Sequence, residues 1–188
     1  MRKILAAINM TLDGFCDHMA IAPDEEIHQH YQELLGDADA ILYGRVTYQL
    51  MQFWQTLAEN PSGEKSMDDF ATAMDKIPKI VFSHTLKDTD PMITGWESAE
   101  LSAQSLEEKA LELKQKSGKD IFVGSRSLII QLMNLKLIDE LQLCVHPVVA
   151  GGDLPLFEKI SDRTSLKLIK TKTFGGGAVV LYYEPAKE

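Results

Sequence analysis

A chain of 188 residues, 45% hydrophobic and 25% charged, has the composition of a single soluble globular domain with a sizeable core. Its net charge of −9 argues against nonspecific nucleic-acid binding, which needs a basic face. Two cysteines, Cys16 and Cys144, are too few for a disulfide framework and sit beside apolar residues, so they read as buried free thiols in a reducing compartment.

The opening "MRKILAAINM" carries two cations and a short apolar run, without the longer apolar region and cleavage site of a signal peptide. No stretch approaches the roughly 18 apolar residues of a membrane span, and the expected location is cytoplasmic. Lys3 to Ile8 reads as a buried strand, followed by the turn "TLDGF". Pro23 to Gly36 reads as a helix: acids crowd its first turn, Ile27, Tyr31, Leu34 and Leu35 recur at helical spacing, and Gly36 stops it. "DAILYG" predicts a second buried strand and "RVTYQLMQFWQTL" a second helix. "NPSGEKS" is a loop, and "MDDFATAMDKI" a helix that must end before Pro78. Strand "KIVFSH" comes next, then a connection punctuated by Pro91 and Gly95, the surface helix "SLEEKALELKQKSG", the short strand "DIFVG" and the helix "SRSLIIQLMNLKL". The C-terminal third changes to strands, "DELQLCVHPVV", "SLKLIKTKTF" and "AVVLYYE", the last two joined as a hairpin across "GGG".

Short strands alternating with helices imply an α/β fold: a mostly parallel central sheet with helices on both faces and an antiparallel C-terminal edge. In such sheets ligands bind beyond the carboxyl ends of the strands. Three strand ends there suit phosphate. At "YGRVTY", Gly44 would let a ligand approach the backbone, the following helix start offers unpaired N–H groups, Arg45 adds a planar fork and Thr47 a hydroxyl. The competing reading is a surface arginine and a capping threonine. "IFVGSRSLII" repeats the design, with Ser125 and Ser127 as possible helix caps and Arg126 as a second cation; an ordinary capped turn is the alternative. Ser83 and His84 end a third strand and would serve as phosphate contacts or simply as a polar loop start. The row of three carries the argument for a dinucleotide, although no G-x-G-x-x-G fingerprint or Walker lysine is present.

Other polar residues admit plainer roles. His28 and His30 are two apart on a helix, diverge, and cannot share a metal. Asp13 before Gly14 is first a turn former. Phe53 and Trp54 suit a core or interface, and Gly175 to Gly177 a wide hairpin turn.

"TLDGF", "ADAILYGRVTY" followed by "FW", "KIVFS", and "IFVGSRSLIIQLMNLKLIDELQLCVHPVVAGGDLPLF" together resemble the dihydrofolate-reductase-like superfamily. The likeness is closest to the C-terminal reductase domain of RibD, of riboflavin biosynthesis, and its stand-alone relatives, and spans Lys3 to Tyr183 as one domain. The resemblance implies an NADPH-dependent reductase acting on a small pteridine- or pyrimidine-like heterocycle, with no nucleic-acid or membrane partner and pairing into homodimers. It assigns Gly44, Arg45, Val46 and Thr47 to the cofactor phosphates, Ser83 and His84 to the 2′-phosphate, and Val123, Gly124, Ser125, Arg126 and Ser127 to the pyrophosphate. Asp13 and Gly14 would lie by the nicotinamide and substrate, with His28, Tyr31 and Trp54 lining the substrate cleft and Asp13 and His28 as catalytic candidates. Gly151-Gly152 would approach the substrate side. Folate reductases place a carboxylate on the first helix, where this chain has His28 with Asp24, Glu25, Glu26 and Glu33 as neighbouring acids. A nucleotide-binding protein without efficient turnover is therefore the second expectation and dihydrofolate reduction the third.

Overall fold

The computed structural model describes residues 1–186. In chain order the elements are β1 (Ile4–Thr11), α1 (Glu25–Gly36), β2 (Ala38–Gly44), α2 (Arg45–Glu59), α3 (Lys65–Lys76), β3 (Lys79–Phe82) and α4 (Pro91–Thr94). They continue with β4 (Ala99–Leu101), α5 (Leu106–Gln115), β5 (Asp120–Val123), α6 (Arg126–Asn134), β6 (Glu140–His146), β7 (Leu166–Thr173) and β8 (Val179–Pro185). The strands form one eight-stranded sheet in the order β4-β3-β2-β5-β1-β6-β8-β7. From β4 to β6 all neighbours run parallel, whereas β8 is antiparallel to both β6 and β7. This is the expected mostly parallel sheet with its antiparallel C-terminal edge.

Alternation along the strands feeds two cores at once, as a parallel sheet buried on both faces requires. Ile4, Ala6 and Ile8 of β1, Ala40 and Leu42 of β2, and Ile121 and Val123 of β5 pack under α5 and α6. Their neighbours Ala7, Ile41, Tyr43 and Phe122 face the opposite way, into a core with Leu35 of α1, Tyr48 of α2 and Phe70 and Met74 of α3. A third cluster joins Ile27 of α1 to Cys144, Phe174, Val180 and Tyr182 at the antiparallel edge. No helix among the described residues is long and apolar enough to cross a membrane.

Several boundaries differ from the sequence reading: β6 ends at His146 rather than Val149, α3 begins at Lys65 inside the expected loop, and two further differences have a clear physical reason. β1 runs on through Asn9, Met10 and Thr11 because β6 pairs with it as far as Thr11↔His146. The connection around Pro91 and Gly95 contains α4 and β4, a four-residue helix and a three-residue strand, both too short to leave a periodic signal.

Candidate functional site

Because β1 to β6 are parallel neighbours, the carboxyl ends of β1, β2, β3, β5 and β6 share one edge of the sheet. Two of these ends are stitched together: the buried Ser125 hydroxyl accepts a hydrogen bond from the Gly44 amide at 2.9 Å. Gly44 is buried with an ordinary φ of −77°, and a Cβ there would meet Ser127 Oγ at 3.0 Å. The glycine thus lets the starts of α2 and α6 lie close to each other. Ser125, fully buried, spends its hydroxyl on this link and does not cap α6.

What remains open is the amide ends of the two helices. Neither α2 nor α6 has a side-chain cap or an acid in its first turn, and each begins with an arginine. Free N–H groups at a helix start together with a nearby cation suit phosphate. The two arginines differ. Arg45 is exposed and donates to Gln49 Oε1 at 3.4 Å, with no ion pair among the described residues, so its guanidinium can turn to a ligand. Arg126 donates from Nε to the Pro155 carbonyl at 2.9 Å and is ion-paired with Glu158, so its charge is already matched inside the protein. Val46 is exposed and Thr47 half-buried on the first turn of α2. Phe82 pairs with Gly44, which brings Ser83 and His84 alongside the same turn. The Ser83 hydroxyl accepts from the amides of Thr85 (3.1 Å) and Leu86 (3.0 Å), forming a local turn, while His84 is exposed.

At the end of β1 the chain reverses through Gly14, whose φ of +89° favours glycine. Asp13 is held there by three hydrogen bonds: it accepts from the Thr11 hydroxyl at 2.6 Å, the Gly151 amide at 2.7 Å and the Ala150 amide at 3.3 Å. The Thr11 hydroxyl, then the Gly151 amide, hold its carboxyl below the ordinary range. Asp13 therefore fastens the 147–152 loop to the β1 turn and keeps its charge, and Gly151-Gly152 lies beside it.

α1 divides the remaining candidates. His28 is half-buried, with its ring centroid 5.6 Å from that of Trp54 and 6.1 Å from that of Phe70; Trp54 and Phe70 meet at 4.6 Å. Burial lowers the His28 pKa, with Asp24 and Glu64 acting the other way. It lines an open cleft of ≈ 410 Å³ formed by Pro23, Asp24, Glu25 and His28 from the start of α1 and Glu64 to Met67 from the start of α3. Tyr31 packs against the cluster under the antiparallel edge, where burial raises its pKa well above the usual value. His30 points the same way, against Tyr31 and Phe174 at 5.3 and 5.6 Å. The two histidines diverge as their spacing requires, and no metal-holding group of His, Cys, Asp and Glu occurs among the described residues.

The structure adds residues that the sequence reading passed over. His146, buried at the end of β6, places Nε2 2.9 Å from Asn9 Oδ1 and 3.6 Å from Cys144 Sγ. Burial lowers the His146 pKa and pushes the Cys144 thiol up to about 12, so neither is charged at neutral pH. The signal was present in "ELQLCVH": Glu140, Gln142, Cys144 and His146 alternate with Leu141, Leu143 and Val145. Asp24, which caps α1 by accepting from the Ile27 amide at 3.0 Å, is the carboxylate whose field reaches His28, Cys144 and His146.

Comparison with known proteins identifies the fold and the family. The uncharacterized protein YyaP of Bacillus subtilis is 33% identical over 190 residues, spanning 97% of this chain and 94% of that one. Among solved structures, a putative riboflavin biosynthesis protein from a Shewanella species superposes with a TM-score of 0.73 at 19% identity, covering 98% and 99% of the two chains. A pyrimidine reductase-like protein from Corynebacterium diphtheriae gives 0.63 at 16% identity, covering 100% and 93%. RibD of Acinetobacter baumannii gives 0.67 at 14% identity, with this chain spanning 58% of it. At these identities the structural matches speak for a shared fold, the RibD and dihydrofolate-reductase-like one. A model of the RibD C-terminal domain family matches residues 2–180, and the chain belongs to that family.

Proposed function

We propose that the protein is an NADPH-dependent reductase of a small heterocycle of the pteridine or pyrimidine kind, the type of reaction that RibD-like reductases perform in riboflavin synthesis. One observation carries the reading: two helices without side-chain caps or first-turn acids open side by side on the sheet edge, next to a guanidinium with no carboxylate partner among the described residues. The residues fit a phosphorylated dinucleotide. The amides opening α2 and α6 would hold its pyrophosphate, and Arg45 with Ser83 would take the extra phosphate that separates NADPH from NADH. When bound, NADPH supplies hydride. The chain's own part is orientation: the Asp13-anchored turn and 147–152 loop wall one side of the edge, and His28 with Trp54 walls the substrate side.

Arg45→Ala tests the assignment. A charge-assisted pair contributes about 1.5–3 kcal/mol, so NADPH affinity should fall about ten- to a hundredfold. NADH affinity, measured by titration calorimetry on the same variant, should change little; equal losses for both would refute the role of Arg45. A second reading, nucleotide binding without efficient turnover, draws on the site itself. Asp13 holds its charge, and burial keeps His28 and His146 neutral, so none of the three is a ready proton donor at neutral pH.

A further inference from the structure

β1 outruns one of its neighbours at the cofactor edge. β5 pairs with it only as far as Ala6↔Val123 and then turns through Gly124 into α6, whereas β6 stays with β1 to Thr11↔His146. Beyond Ala6, β1 therefore has a strand on one side and, on the other, the flank that β5 vacates as it turns toward the start of α6. Side chains alternate along a strand, and Ala7 faces the core built with α1 and α3, so Asn9 and Thr11 face that way too. On β6, Cys144 packs with Ile27 of α1, which puts His146 on the same side.

Asn9 is half-buried, and the two ends of its carboxamide differ. Oδ1 lies 2.9 Å from Nε2 of the buried His146. A carboxamide oxygen only accepts, so that ring nitrogen carries the hydrogen and donates it. Cys144 Sγ, 3.6 Å from the same nitrogen, is a weak partner beside it. Asn9 Nδ2 has no hydrogen-bond partner among the described residues, yet it is not sealed from solvent: the sealed side-chain atoms left unpaired there are Arg2 Nη2 and Gln142 Oε1. Thr11, the other polar side chain of this stretch, is fully buried and gives its hydroxyl to Asp13. His146 is fixed in turn by its pairing with Thr11, and the next residue, Pro147, lies against Gly177 of the β7–β8 hairpin.

We propose that Asn9 is a substrate-binding residue whose carboxamide N–H donors meet a ring carbonyl oxygen of the heterocycle on the flank that β5 vacates, and that His146 is the positioning residue that holds the amide in this orientation. The proposal rests on the reductase reading for the class of ligand and deepens it by naming which edge of the ring points at β1. His146 occupies the amide oxygen, so Asn9 offers the ligand donors alone. A ring amino group in the same place would set donor against donor, and a site built to hydrogen-bond one group rejects the analogue that lacks it. Without the donor on His146 the carboxamide is free to turn over and serve either group.

The test is titration calorimetry, with and without saturating NADPH, using lumazine, which carries ring carbonyls, and 2,4-diaminopteridine, the same ring with amino groups in their place. The native chain should prefer lumazine by at least about tenfold, the order expected when a donor is left facing a donor. Asn9→Asp keeps the shape and the bond to His146 but turns an acceptor toward the ligand, so the preference should reverse; a role in packing alone would weaken both ligands together. His146→Leu should shrink the native preference to below about threefold, and His146→Gln, which restores an N–H, should recover it. Circular dichroism checks folding, and the two positions give independent arms should one variant fail to fold. A preference for lumazine that survives Asn9→Asp overturns the proposal and leaves the reductase reading intact, as does an NADPH-loaded chain that binds neither pteridine. A preference that reverses as expected in a chain that binds no NADPH supports the role of Asn9 and sinks the reductase reading.

Discussion

His28 and His30, two apart on α1, show how one residue type acquires different chemistry from the faces it occupies. His28 looks toward solvent and the cleft, whereas His30 is buried among Tyr31, Phe174 and Tyr182. Burial, aided by Lys172, depresses the His30 pKa from 6.5 to about 4. Between those values the unfolded chain binds a proton that the folded chain refuses. The stability that the neutral ring permits is therefore complete above pH 6.5 and drains away as the pH falls toward 4. The contribution is at most about 3 kcal/mol. His30→Gln, which keeps polarity but cannot titrate, should flatten urea-unfolding stability against pH across this window. An unchanged slope would place the acid sensitivity in other groups, such as His28 and His146.

At the scale of elements, legibility followed length and pattern. β2, β5, α2 and α6 were readable because apolar runs end at Gly44 and Gly124 and a helical period starts at once. β4 was not, because three residues carry no period and its place in the sheet is secured from elsewhere. Lys79 shows how. This fully buried lysine opens β3 and donates to the Ile77 carbonyl at 2.9 Å, the Asp75 carbonyl at 3.3 Å and the Ser98 hydroxyl at 2.7 Å, with the Trp96 ring centroid 3.9 Å away. It ties the end of α3 to the turn that leads into β4, and Trp96 in turn donates to Asp75 at 2.8 Å. A lysine in the first position of an apolar strand gives no sign of this in the sequence. Lys79→Met keeps the volume and strands those acceptors, so it should cost about 1–3 kcal/mol in chemical denaturation and raise amide exchange in β4 first. A loss below about 0.5 kcal/mol would mean the network is dispensable.

For the molecule as a whole, topology turns scattered motifs into one surface. Gly44 and Ser125 are far apart in sequence, yet the β2–β5 pairing sets their strand ends side by side, and the parallel sheet aims every neighbouring turn the same way. That convergence was legible from the alternation of strands and helices; the roles within it were less so. Sequence shows a glycine followed by an arginine at Gly44-Arg45, but not that Gly44 sits against Ser125 and Ser127 at the start of α6. It shows Arg126 as a cation, but not that Glu158 already matches its charge. It shows Asp13 as an acid, but not that it accepts from Thr11 and the 150–151 amides. Each of these depends on a partner from a distant segment, which no local pattern encodes. The same topology separates two electrostatic regions, an amide-rich edge at α2 and α6 and a carboxylate-lined cleft between α1 and α3. Hydrogen exchange on the full chain, with and without saturating NADPH, tests the central claim most directly. The account requires one cofactor per chain, with new protection concentrated in the first turns of α2 and α6 and in the segment after β3. Saturable binding that protects some other surface and leaves those turns unchanged would contradict it, as would no binding at all.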